Sequence, residues 1–150
     1  MYCIDINKYA NNDSKNYGDC CEWAVCRYFG IERQKHDGTA YYEHSDIELP
    51  NGRNISVKSG EWTLMSGTLC VGCHTFEGIW RRYYKNTHSN EWIYVTHDWK
   101  AYVMNKKEFS KFVHKFGRLK RESSSKGGGL KIRCLNESRY IREWLVANCG

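Results

Sequence analysis

Apolar residues along this chain recur at helical spacing in some stretches and at every second position in others. Over Tyr17–Phe29, Trp23, Val25, Cys26 and Tyr28 or Phe29 form one apolar face, the spacing of a helix. Asp19 stands where it can cap that helix, and Gly30 where it can end it. Asp46-Ile47-Glu48-Leu49 then alternates polar and apolar, Pro50-Asn51-Gly52-Arg53 reads as a turn, and Asn54-Ile55-Ser56-Val57-Lys58 alternates again. Two alternating runs about a tight turn predict a β-hairpin. Further on, Glu61–Leu69 reads as extended, Phe76–Lys85 as a helix, Trp92–Thr96 and Ala101–Met104 as strands, and Lys106–Phe116 as a helix capped by Asn105. Leu130–Cys134 is the last strand. Asn136 opens a final helix over Glu137–Asn148, with Ile141, Trp144 and Leu145 on one face. Residues 1–16 read as an irregular N-terminal segment and 119–129 as a basic loop rich in Ser and Gly. Helices before, between and after strands predict an α/β domain, a mixed sheet flanked by helices.

Composition narrows this picture. The chain has 150 residues, which suits one domain with a core that needs no disulfides. The net charge of +6 suits an anionic partner or a simply basic soluble protein. Eight cysteines are unevenly spaced, and Met1–Ala10 lacks the order of a signal peptide, so reduced thiols in a cytoplasmic protein are expected. No apolar run approaches the ~18 residues of a membrane span.

The hairpin carries the candidate chemistry. Alternation puts Ile47, Leu49, Ile55 and Val57 on one face and Asp46, Glu48, Ser56 and Lys58 on the other. With Asn51-Gly52-Arg53 as the loop, Asp46 faces Lys58 and Glu48 faces Ser56. Two carboxylates and an ammonium on one rigid face suit phosphodiester hydrolysis with Mg²⁺ or Mn²⁺. The competing reading is a solvated hairpin face with an Asp–Lys ion pair.

A helical Glu (Glu22), an Asp opening a strand (Asp46), a turn, and then apolar-x-Lys ending in Lys58 resembles the PD-(D/E)XK nuclease superfamily, which includes restriction endonucleases and archaeal-type Holliday junction resolvases. The resemblance covers roughly Gly18–Gly60. It implies a restriction-endonuclease-like fold and a metal-dependent DNA endonuclease acting on duplex or branched DNA, with a homodimer matching two-fold symmetric DNA. It implies Asp46 and Glu22 as metal ligands and Lys58 as the motif lysine. The family has an acid two residues before that lysine, where this chain has Ser56. Glu48, on the same face, is then the expected replacement ligand. The alternative is a nuclease-like module that has lost the chemistry and binds nucleic acid or a protein.

Other clusters are subsidiary. Arg81, Arg82 and Lys85 mix with tyrosines on one expected helix, and Lys120, Arg121 and Lys126 sit in the basic loop, so both are candidate DNA contacts. Cys70 and Cys73 have the spacing of a zinc pair but no second pair, and free thiols are expected. His44 is close to the hairpin and could assist proton transfer, but a satisfied or solvent-facing histidine is the expected reading.

Overall fold

The computed structural model describes residues 1–12, 15–34, 45–64, 72–121 and 130–150. The N-terminal segment is not irregular throughout. Tyr2–Asp5 forms strand β1, followed by a 3₁₀ turn over Asn7–Tyr9. Four mostly exposed residues at a sheet edge leave no clear period in the sequence, and the ladder to β6 holds them together with the Asp5–Lys100 ion pair and the bond from Arg53 to the Tyr2 hydroxyl. Helix α1 spans Tyr17–Tyr28. Its cap is Asn16, whose side chain accepts from the N–H groups of Gly18 and Asp19. Asp19 therefore lies in the first turn rather than at the cap. The chain leaves the helix through Gly30, at φ 69°.

The hairpin consists of β2 (Ile47–Glu48) and β3 (Asn54–Ser59). Its register pairs Ile47 with Ile55 and Glu48 with Asn54. The expected partner of Glu48 was Ser56, so the register is shifted by two residues. The turn explains the shift. Leu49 N–H donates to the Arg53 carbonyl at 2.9 Å and Gly52 N–H to the Leu49 carbonyl at 3.1 Å, so the loop is Pro50–Gly52. Pro50 has the fixed φ that suits the second position of such a turn, and Gly52, at φ 84°, takes the left-handed position that closes it. A two-residue shift keeps every side chain on its face, so burial of the isoleucines does not oppose it.

After β3 the chain forms β4 (Trp62–Leu64), α2 (Phe76–Asn86), β5 (Glu91–Val95) and β6 (Lys100–Asn105). Then come α3 (Lys106–Phe116), β7 (Gly117–Arg121), β8 (Leu130–Cys134) and α4 (Arg139–Asn148). A mixed five-stranded sheet has the order β1-β6-β5-β3-β2, in which β3 and β5 are parallel. A second sheet has the order β4-β8-β7. The part of the expected basic loop within 119–121 is strand, with Lys120 paired to Lys131 and Arg121 to Leu130. Exposed cations on an edge strand are common and carry no loop signal of their own. The last helix begins at Ser138, which caps Ile141 N–H, rather than at Asn136.

The five-stranded sheet is covered on both faces, which makes this a mixed α/β fold. On one side Ile47, Ile55, Ile93, Val95 and Val103 pack with Cys21, Ala24 and Val25 of α1. On the other, Trp92, Tyr94 and Met104 pack with Ile79 and Trp80 of α2 and Phe109 and Phe112 of α3. Trp92 stacks on Phe109 at 4.6 Å and donates its indole N–H to the Tyr83 hydroxyl at 3.0 Å. Among the described residues no helix is long and apolar enough to cross a membrane.

Candidate active site

The strand β2 is short because the chain turns away before Ile47. The hydrogen-bonded pairing that joins Leu49 to Arg53 would next place the Ser45 carbonyl against Val57 N–H. Instead Val57 N–H donates to Asp46 Oδ2 at 2.7 Å. The Asp46 carboxylate thus ends the ladder and satisfies a backbone donor that would otherwise be orphaned. It also reaches the Glu22 carboxyl, on the second turn of α1, within hydrogen-bonding range.

Helix α1 presents Glu22 toward the sheet edge because it shares a helix face with the buried Val25 and Cys26, three and four residues on. Burial pushes the Glu22 carboxyl up to about 8, and the hydrogen bond and negative charge of Asp46 add to the effect. Arg33 opposes both. Its guanidinium contacts Glu22 Oε2 at 2.5 Å and Asp19 Oδ1 at 2.7 Å. Three carboxyls, those of Asp19, Glu22 and Asp46, and one guanidinium therefore share this edge, and Glu22 holds a proton near neutral pH. The nearby Cys26 thiol is raised to about 11, first by burial and then by the Glu22 charge, so it stays protonated.

The other hairpin residues point elsewhere. Glu48 accepts the Ser45 N–H at 3.3 Å and pairs with His88 Nε2 at 3.3 Å. Ser56, in place of the motif acid, shares a hydroxyl chain in which Ser89 Oγ lies 2.5 Å from Ser56 Oγ and 2.7 Å from Ser45 Oγ. Lys58 aligns with Tyr94 of β5, and its ammonium sits 5.5 Å from the Trp62 ring centre, on the aromatic side of the sheet. The side chains expected on one face are thus divided. Asp46 turns to α1 and Glu22, Glu48 goes to His88, and Lys58 goes to Trp62. The division follows from the end of the ladder: Asp46 lies outside the strand, so pleat alternation does not govern its side chain.

Two carboxylate arms fit Mg²⁺ or Mn²⁺, since Mg²⁺ commonly takes one or two protein carboxylates and keeps waters or substrate phosphate oxygens for the rest. Among the described residues no group of three or more His, Cys, Asp or Glu is set to hold a metal.

Of the expected DNA contacts, Arg81, Arg82 and Lys85 are exposed on α2, and Lys120 and Arg121 are exposed on β7. Lys126, His44 and Cys70 lie outside the described residues. Cys73 is half-buried, with its thiol 3.8 Å from the Gly78 carbonyl.

Several partners had no signal in the sequence. Arg33 lies in a polar connection at no diagnostic spacing from Glu22, and His88 and Ser89 lie in another. A second polar cluster stands where the parallel strands β3 and β5 end, a common place for ligand crevices in open α/β sheets. There His97 Nδ1 is 2.8 Å from Glu137 Oε2, and His97 N–H donates to Glu137 Oε1 at 3.0 Å. The imidazole stacks on Tyr17 at 4.7 Å beside a cavity of about 400 Å³ lined by Asn16, Ser59 and Asn136.

With this geometry in hand, comparison with known protein families, with curated proteins and with solved structures found no match.

Proposed function

We propose that this chain is a divalent-metal-dependent DNA endonuclease of the PD-(D/E)XK, restriction-endonuclease-like type. The observation that carries the reading is the meeting of Glu22, from a helix preceding the hairpin, with Asp46 at the opening of the hairpin's first strand. These two come from the positions that the family resemblance assigns to acids. A mixed sheet with helices on both faces supports the same reading.

In this mechanism Glu22 and Asp46 would hold Mg²⁺ or Mn²⁺, which would supply an activated water and neutralise charge on the phosphate. Glu22 would have to give up its proton to become a ligand, so cation binding would release a proton and would strengthen as pH rises toward 8. Arg33 holds the Glu22 carboxylate in place and offers a cation beside the phosphate. The electropositive surface of the chain draws the polyanion in. Two copies of the module would match the two strands of duplex DNA.

Two observations favour a second reading, a nuclease-like module that binds nucleic acid without cutting it. Ser56 is committed to the Ser45–Ser89 hydroxyl chain, and Lys58 lies over Trp62 rather than beside Asp46. Cleavage of plasmid and branched DNA with Mg²⁺, Mn²⁺ or EDTA separates the readings. Metal-dependent cutting that is lost in Asp46→Ala and reduced at least tenfold in Glu22→Gln is the expected result. A folded protein that binds DNA yet cuts none with either metal would overturn the nuclease reading in favour of the second.

A further inference from the structure

Helices α2 and α3 lie side by side over the aromatic core, joined by the contacts of Trp80 with Phe109 and with His114. Together they carry seven Lys and Arg against two Glu, a surplus of five in a chain whose net charge is +6. Both acids are engaged. Glu77 pairs with His114, and Glu108 pairs with the N-terminal ammonium while closing the capping box of α3. The two helices therefore form a strongly cationic layer over the aromatic core.

Between the two helices runs a groove of about 670 Å³. Trp80 and Tyr84 form its wall on α2, and Lys106, Lys107, Ser110 and Lys111 form its wall on α3. The Lys106 ammonium lies 4.0 Å from the centre of the Tyr84 ring. The buried hydroxyl of Tyr84 has no hydrogen-bond partner among the described residues. A rim of exposed ammonium groups around an aromatic floor matches the chemistry of a polymer that is anionic along its backbone and flat and apolar in its side groups.

We propose that this groove binds a single-stranded segment of nucleic acid, with phosphates on Lys106, Lys107 and Lys111 and a base against Tyr84. The proposal rests on the nuclease reading for the choice of polymer, and it deepens that reading by naming the form of substrate. A duplex keeps its base faces stacked inside and offers the groove only phosphates. A single strand, or the unpaired arm of a branch, offers both. Arg81 and Lys85, on the same helix as Tyr84, extend the cationic surface beyond the groove.

The test is fluorescence anisotropy of a labelled single-stranded oligonucleotide and its duplex with the full chain in EDTA, so that binding is read apart from cleavage. The single strand is expected to bind more tightly. Lys106→Gln/Lys107→Gln/Lys111→Gln is expected to lose about tenfold or more in affinity and to flatten the salt dependence by about two units of slope. Tyr84→Leu, which keeps an apolar side chain in the wall, is expected to lose about tenfold on the single strand with little change on the duplex. A control, Lys8→Gln/Lys15→Gln/Arg27→Gln, removes as much charge from exposed positions outside these two helices. Equal losses in the control and the groove variant would overturn the proposal, as would duplex binding as tight as single-strand binding. Groove-dependent binding without cutting in Mg²⁺ or Mn²⁺ would leave the groove assigned and remove the nuclease reading. Cutting that is indifferent to the groove variants would do the reverse.

Discussion

The two faces of the central sheet are built from different materials. The α1 face is aliphatic and thiol-rich, and its edge carries three carboxyls, partly neutralised by Arg33. The α2–α3 face is aromatic within and cationic without. One strand shows the contrast in two consecutive residues: Ile93 faces α1, and Trp92 faces α3. Acid is gathered at the α1 edge, and base is spread over the α2–α3 face. A single charge total of +6 conceals this separation.

The largest expected effect tests the difference between the two cores. Trp92→Ala should destabilise by about 3–5 kcal/mol, because it opens a large cavity in the aromatic core and also removes the indole N–H that donates to the Tyr83 hydroxyl. Ile93→Ala, whose side chain makes no hydrogen bond, should cost less, about 2–4 kcal/mol. Urea unfolding of both variants gives the order, and an Ile93 loss equal to or above that of Trp92 would show that the aromatic face is no more sensitive to truncation than the aliphatic one.

The next effect concerns the acidic edge. The folded-state value of Glu22 is raised above the ordinary carboxylate range, so the unfolded chain loses this proton at lower pH than the folded one. Stability from this group is therefore full below about 4.5 and is lost as pH rises through about 8. Glu22→Gln should gain about 1–3 kcal/mol over the native chain at pH 9 and nothing at pH 4. Thermal unfolding across that range checks it. A native chain whose stability follows that of the variant at every pH would show that burial and Asp46 do not hold the Glu22 proton in the folded state.

The smallest effect lies at the turn that sets the register. Gly52→Ala should destabilise by about 1 kcal/mol, because a side chain is strained at its positive φ. Space is not the cause, since an added Cβ meets nothing within 4 Å. A neutral result in chemical denaturation would point to the looser, later turn that puts Asp46 opposite Lys58.

Much of the fold was legible because it depends on neighbours in sequence. Helix α3 matched in both bounds and in its Asn105 cap, since the cap, the Glu108 three residues on and the apolar period lie within one short window. Strand β8 matched for a similar reason, and the hairpin was legible from alternation and turn residues. What failed had its cause elsewhere in the chain. Strand β1 exists only because β6 offers it a ladder, and β7 only because β8 lies beside it. Asp46 and Glu22 were both legible as candidates, but their meeting depended on where β2 stops. Arg33 was not legible, because no spacing rule joins a loop arginine to a helical glutamate 11 residues earlier.

By itself, then, the sequence determined the apolar periods, the caps, the glycine that closes the hairpin and the inventory of acids and bases. These follow from local sterics and from hydrogen bonds reaching three or four residues. Tertiary structure alone decided which side chains meet. It turned Asp46 out of the pleat toward Glu22, set Lys58 over Trp62 and brought two basic helices together around one groove. Such meetings depend on strand partners and packed faces distant in sequence, and their energies appear only when the sheet is assembled.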